Sequence, residues 1–189
     1  VDMSRLPIDR RQDLARRGLA VLTPWLGQDR VSVQVTATLE DGETRQTVER
    51  VRKRLTPLYE LAAESPTPKF INMDMEEYRD LDLTIAVFEA ILDQTQLLKL
   101  EAGIVLQAYL PDALGAYQHI VEWSTARVAR GGAPVKIRLV KGANLAMETV
   151  ESTLHGWELA TWHSKQATDT NYKRVLDWAL TRERTTAVR

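Results

Sequence analysis

The order of the secondary-structure signals constrains this chain most. Short β-rich runs alternate with longer stretches of helical period. Val31 to Thr36 reads as a strand by its valine alternation, and Asp41-Gly42 is a turn signal. From about Thr47, the residues Val48, Val51, Leu55 and Leu58 recur at helical spacing, with Pro57 expected to bend the helix. After a Ser65-Pro66-Thr67-Pro68 loop, Lys69 to Asp74 is the second strand. Leu81, Ile85, Phe88 and Leu92 then mark a helix with one buried stripe. Gly103 to Tyr109 is the third strand. Pro111 and Asp112 open a helix carrying Leu114, Tyr117, Val121 and Val128, which ends at Gly131-Gly132. Val135 to Val140 is the fourth strand. A helix from Asn144, a Trp-rich irregular stretch and a helix from about Asp169 to Leu180, capped by Asp169 or Thr170, complete the pattern. Ahead of it all, Asp9 to Leu26 reads as a leading helix limited by Pro24. This order implies parallel strands joined by right-handed crossovers.

Residue parity within the strands narrows the architecture. Val31, Val33 and Val35 share one face, and Ser32, Gln34 and Thr36 the other. Ile71 and Met73 oppose Asn72 and Asp74. Ile104, Leu106 and Ala108 oppose Val105, Gln107 and Tyr109. Ile137 and Leu139 oppose Lys136 and Arg138. An open doubly wound sheet is covered by helices on both faces and reads apolar on both. A closed barrel has one face under the helix ring and one turned into the lumen, with functional groups at the carboxyl ends of its strands. The alternation therefore favours an α/β fold of (β/α)8 TIM type and collects Gln34, Asp74, Gln107 and Arg138 at one end of it. An antiparallel sheet with one wet face has the same parity, but the intervening helices argue against it.

A full barrel typically takes about 250 residues. These 189 residues hold about four strand-helix units, so they are expected to form a single partial barrel domain, with residues 1–30 as a leading helical segment. The barrel is then truncated, or completed by a second copy, or continued elsewhere in a longer protein. A first residue of Val rather than Met fits the last case.

Composition bears on partners and compartment. A net charge of -1 makes no electrostatic case for nucleic acid or an anionic membrane surface. The absence of cysteine excludes disulfides, thiolate chemistry and cysteine metal sites, and fits a reducing compartment such as the cytoplasm. His119, His155 and His163 lack close metal-ligand spacing, so no metal is expected. No apolar run is long enough to span a bilayer.

The fourth strand ends in Lys136-Ile137-Arg138-Leu139-Val140-Lys141-Gly142-Ala143. Cations on one face and a glycine at the strand end suit an anionic ligand or cofactor, because glycine lets a phosphate or ring approach the backbone. An amphipathic edge strand with solvated cations is the plain alternative. No Gly-x-Gly-x-x-Gly follows any strand, so the dinucleotide-binding signature is absent.

Three blocks together carry a resemblance: Asn72-Met73-Asp74-Met75-Glu76-Glu77, Leu106-Gln107-Ala108-Tyr109 and Arg138-Leu139-Val140-Lys141-Gly142-Ala143. In order and spacing they resemble the flavin-dependent proline dehydrogenases, most closely that domain of the bacterial bifunctional proline-utilisation flavoproteins. The resemblance covers about Val31 to Leu180. It implies a distorted (β/α)8 barrel that binds FAD at the carboxyl ends of its strands, oxidises L-proline to 1-pyrroline-5-carboxylate and passes electrons to a membrane quinone. It therefore also implies peripheral membrane association of the parent enzyme. The roles it implies are specific. Arg138 hydrogen-bonds the flavin near its reactive nitrogen, and Gln107 hydrogen-bonds the pyrimidine edge. Lys141, Gly142 and Ala143 lie along the cofactor. Asp74 pairs with Lys141 and shapes the proline pocket, so Arg138, Asp74 and Lys141 are the expected catalytic groups. Each role suits its residue: a guanidinium stabilises the negative charge of a reduced flavin, and an amide offers both donor and acceptor to a ring edge.

The chain departs from this family in places. Gln34 stands where a lysine usually helps hold the substrate carboxylate, which leaves Gln34 and Asp74 as the substrate-side residues. Asn144 and Leu145 replace aromatic residues. The family's later His-Asn cofactor segment and its Arg-Arg-x-x-Glu carboxylate clamp have no counterpart, and Arg182-Glu183-Arg184 reads as a solvated helix end. Two other readings follow from the residues. One is a non-catalytic barrel module with a structural or assembly role, joined to a second copy or to the missing half. The other is a Schiff-base enzyme using Lys141, which an Asp74 partner would oppose by keeping the amine protonated. The Trp157–Trp162 stretch is expected to pack as a corner over the outer helices, with an interaction surface as the alternative. Glu49 and Lys53 are spaced for an ion pair.

Overall fold

The computed structural model describes residues 30–34, 44–182 and 187–188. Strands β1 (Arg30–Gln34), β2 (Phe70–Asp74), β3 (Ala102–Gln107) and β4 (Lys136–Val140) form one parallel sheet in chain order. Helix α1 (Thr44–Ala63) joins β1 to β2. A 3-10 turn at Tyr78–Asp80, helix α2 (Leu81–Leu92) and a second 3-10 turn at Thr95–Leu97 join β2 to β3. Helix α3 (Ala113–Ala129) joins β3 to β4, and α4 (Leu145–His155) and α5 (Lys165–Arg182) follow. The strand order runs 1-2-3-4 without the reversal of a doubly wound sheet. This is a partial β/α barrel, as the parity of the strands required. The leading helix expected at Asp9–Leu26, the Asp41-Gly42 turn and Glu183-Arg184 lie outside the described residues.

One face of the sheet is the core. Ile71, Met73, Ile104 and Leu106 are at most 1% exposed and pack with Phe88, Ile91, Leu92, Ile120 and Val175 from the helices. Each such side chain contributes about 1.5–3 kcal/mol by leaving water. The other face carries Ser32, Asn72, Asp74, Lys136 and Arg138, exposed or half-buried. The interior strand β3 is buried along its whole length, so Val105 and Gln107 are covered on the lumen side as well.

Several helix boundaries and faces differ from expectation. Helix α1 starts at Thr44, ahead of the expected Thr47, and contains Pro57. In α2 eight residues are buried, among them Leu83, Thr84 and Val87, because the helix is wedged between α1 and the sheet. Helix α5 starts at Lys165, one turn earlier than expected. The Ser164 hydroxyl accepts the Ala167 N–H at 3.1 Å, so Ser164 is the cap and Asp169 and Thr170 lie inside the helix. The buried face of α3 is Ala113, Tyr117, Ile120, Val121, Ser124 and Arg127, while Leu114 and Val128 are only half-buried.

Arg127 is fully buried and, among the described residues, has no carboxylate in hydrogen-bond contact. Its guanidinium donates to the carbonyls of Leu92, Leu97 (3.0 Å), Leu98 (2.8 Å), Leu100 (3.1 Å) and Ala133 (3.1 Å). It thereby satisfies the end of α2, the following turn and the entry to β3 from one side chain. Burial holds its pKa below the ordinary arginine value.

Past α5 the chain returns to the sheet. Val188 forms a parallel bridge with Val135, whose N–H donates to the Ala187 carbonyl at 3.2 Å; the Ser124 hydroxyl donates to the same carbonyl at 2.7 Å. A fifth parallel position at the β4 edge therefore begins at Ala187-Val188, a feature the sequence pattern does not reveal.

Candidate active site

The lumen face converges on Asp74, the last residue of β2. In register, Ser32 pairs with Asn72, Gln34 with Asp74, and Val105 with Arg138. Asp74 Oδ1 accepts from Asn72 Nδ2 at 2.7 Å and from Arg138 Nη2 at 2.9 Å, and Oδ2 accepts from Ser32 Oγ at 2.7 Å. Arg138 thus reaches across β3, over the buried Val105, to its partner two strands away. The Arg138 side chain remains half exposed. Gln34 Nε2 donates to Glu76 Oε2.

Lys141 does not pair with Asp74, contrary to expectation. Its Nζ lies 2.6 Å from Asp169 Oδ1 on α5, and Lys165 holds Asp169 Oδ2 at 2.7 Å. Lys141 continues the alternation of β4: its carbonyl still accepts the Tyr109 N–H at 2.7 Å, and its side chain falls on the helix side with Ile137 and Leu139 rather than with Arg138. Asp74 meanwhile takes three donors on its own face, from Asn72, Arg138 and Ser32. Hydrogen bonds from Lys141, then Lys165, lower the Asp169 pKa from 3.8 to about 2. Lys141 retains a carboxylate partner all the same, which opposes a Schiff-base role.

Gln107 is 3% exposed and works between two loops. Its Nε2 donates to the carbonyls of Met75 (3.1 Å) and Glu76 (2.9 Å), and its Oε1 accepts the Ala143 N–H at 3.3 Å. Both amide protons are engaged, so only the second lone pair of Oε1 remains for a ligand.

Gly142 adopts φ +122°, a left-handed conformation that favours glycine. A Cβ there would stand 2.5–2.8 Å from the Tyr109 ring. The Lys141-Gly142-Ala143 turn therefore lies flat on Tyr109 with its other side exposed. Glu148 on α4 supports the same corner. Its Oε1 accepts the Tyr78 N–H at 2.7 Å and the Tyr109 hydroxyl at 3.5 Å, and burial raises its pKa. Asn144 precedes α4 without a side-chain cap, and Leu145 is exposed.

Sequence reasoning missed Asp169, Glu148, Asn72 and Ser32 as members of this site. Asn72 and Ser32 share Asp74's face by parity, and that signal could have found them. Asp169 and Glu148 come from helices, and no local pattern points to them. The Trp-rich stretch splits: Trp162 is half-buried and its backbone N–H donates to the Tyr109 carbonyl at 2.7 Å, whereas Trp157 is exposed and stacks on His155 at 4.3 Å. Trp157 is not part of a packed corner. Glu49 does pair with Lys53 at 3.4 Å, but more closely with Arg52 at 2.7 Å. No cluster of potential metal ligands occurs among the described residues, and no described helix is long and apolar enough to cross a membrane.

The Asp74–Arg138 pair beside a glycine turn open on one side fits a flat anionic cofactor: the guanidinium supplies donors and charge, and the turn supplies bare backbone. Gln107 fits such a group as an acceptor only.

Comparison with known proteins places this geometry in a family. Residues 8–189 match the family model described as proline dehydrogenase. No curated protein matches. Proline utilization A from Corynebacterium freiburgense has a similar structure, with TM-score 0.85 and 44% identity over 93% of this chain and 19% of that one. Proline utilization A from Bdellovibrio bacteriovorus, inactivated by N-propargylglycine, has TM-score 0.79 and 27% identity over 94% and 20%. A Bradyrhizobium japonicum proline utilization A shares the fold at TM-score 0.72 and 20% identity, over 88% and 18%. The chain spans about one fifth of the length of each.

Proposed function

This chain belongs to the proline dehydrogenase family, and on that premise we propose that it forms part of the active site for FAD-dependent oxidation of L-proline to 1-pyrroline-5-carboxylate. One observation carries the reading: a cation fixed by Asp74 on the lumen face, Arg138, stands on β4 two residues before the strand ends and leads into the bare Lys141-Gly142-Ala143 turn. Residues 1–189 are read as a single partial barrel domain, with 1–30 leading into it.

FAD, when bound, supplies the two-electron acceptor for the substrate carbon–nitrogen bond. The chain's own residues supply charge and position. Arg138 places a permanent positive charge where negative charge builds up on the acceptor, and the other donors of its guanidinium bind the cofactor ring. Gln107 accepts from the ring edge through its second lone pair and clips the β2 and β4 loops together. Lys141 adds charge beside the cofactor with Asp169 behind it, and Gly142 and Ala143 leave the ring room to approach. Asp74 and Gln34 bound the substrate side. Gln34 offers a neutral hydrogen bond where the resemblance implied a cation, and charge-assisted bonds are roughly twice as strong. Substrate carboxylate binding is therefore weaker from this side.

Electron transfer to a quinone, a cytoplasmic location at the membrane surface and association with a second copy or a completing barrel half are parts of the same proposal. A second reading has support of its own. The Gln107 N–H groups already serve its own loops, which favours a barrel module that assembles without turning over proline by itself.

The visible spectrum of the purified chain, after adding FAD and removing the excess, separates the two readings. Retained flavin that bleaches on adding L-proline supports the enzyme. Retained flavin without bleaching supports a module that keeps its cofactor surface. Failure to retain flavin overturns the proposal that this chain holds the cofactor.

A further inference from the structure

We propose that Asn72 and Ser32 are positioning residues for Arg138, acting through the Asp74 carboxylate. The inference rests on the reading of Arg138 as a cofactor-side cation and adds what keeps that cation in place.

An exposed arginine has several free torsions and loses rotamer entropy when held in one geometry. Among the described residues, the Arg138 side chain makes one hydrogen bond, to Asp74 Oδ1. That bond directs the guanidinium only if the carboxylate plane is itself fixed, because the terminal torsion of aspartate is broad. Two neutral donors fix it. Asn72, two residues earlier on the same face of β2, holds Oδ1, and Ser32 on the neighbouring strand holds Oδ2. With one donor on each oxygen, the carboxylate cannot turn without breaking a hydrogen bond. The Asn72 amide has room to do this because its partner on β3 is Gly103. A Cβ at that position would stand 2.8 Å from Asn72 Oδ1. Both supporting groups are uncharged, so removing them leaves the charge of the Asp74–Arg138 pair intact and changes only its orientation.

The test reads Arg138 directly in the flavin-free, ¹⁵N-labelled chain. The heteronuclear NOE of the Arg138 Nε–H, assigned by its loss in Arg138→Lys, is expected to be high, like that of backbone amides. In the Ser32→Ala/Asn72→Ala double variant it should fall to the value of exposed Arg54, while Ser32→Thr, which keeps the hydroxyl, should retain it. Should the double variant fail to fold by circular dichroism, the single variants Ser32→Ala and Asn72→Ser carry the same comparison. An unchanged NOE overturns the proposal. FAD titration then tests the consequence: a loss of about tenfold in affinity in the variant supports positioning toward the cofactor. A lowered NOE with unchanged affinity overturns it. If the parent chain binds no FAD at all, the functional reading fails on its own, and the NOE still decides whether Asn72 and Ser32 hold Arg138.

Discussion

Lys141 Nζ lies 2.6 Å from Asp169 Oδ1, on the helix side of the sheet, while Asp74 two strands away takes Arg138 at 2.9 Å on the lumen side. Two acid–base pairs thus stand where one was expected. Each ties the end of β4 to a different part of the fold: Arg138 to β2, and Lys141 to α5.

The Asp169 carboxyl, lowered to about 2 from 3.8 by Lys141 and Lys165, sets a pH dependence. A depressed acid pKa stabilises the folded state above the unfolded value, and this is lost as pH falls through the folded value. Asp169→Asn should melt at a lower temperature than the parent chain above pH 4. The gap should close between pH 4 and pH 2. Thermal melts across that range check it; a gap that persists at pH 2 would show that the ion pairs are not its source.

Arg138→Ala should weaken FAD binding by about 1.5–3 kcal/mol, the size of a hydrogen bond to a charged group, with little loss of fold stability because the side chain is half exposed. Arg138→Lys should restore less than half, since a point charge cannot present the same fork of donors. Flavin titration alongside urea denaturation separates the two effects.

Replacing Arg127 should be costly. Arg127→Ala leaves the carbonyls of Leu92, Leu97, Leu98, Leu100 and Ala133 without this donor in a buried corner, and about 3–5 kcal/mol is expected from that and the cavity. Arg127→Lys should recover only part, because an ammonium offers three donors. Equilibrium urea unfolding measures both.

Gly142→Ala should destabilise the chain by about 1–3 kcal/mol through its positive φ and the approach to Tyr109. Pairing it with Tyr109→Leu should relieve the contact and leave the backbone strain. A double-mutant cycle on urea midpoints would give the share of each, and equal costs with and without the Tyr109 ring would exclude the steric part.

The strands and their faces were legible because a strand has a period of two. Ile71 and Met73 buried against Asn72 and Asp74 on the lumen side is a statement about neighbours in the chain. Local pattern does not separate the Ser164 cap from Asp169 or Thr170, which are equally good cap residues; the Asp169 side chain is instead taken by two lysines. The role of Arg127 was not legible. A cation in a helix reads as solvated until the carbonyls brought to it by α2 and the turn before β3 are known.

The sequence by itself determined the alternation of strand and helix, the apolar face of each strand, and the collection of Asp74, Gln107 and Arg138 at the strand ends, since these follow from periodicities shorter than one turn of structure. Only the tertiary structure decided which groups pair. Arg138 finds Asp74 because alternate strands face the lumen at one level with Val105 small enough between them. Lys141 finds Asp169 because alternation turns it to the helix side with Leu139, where α5 brings Asp169. Pairing energies fall off within a few ångströms, so they depend on distances that no spacing along the chain specifies.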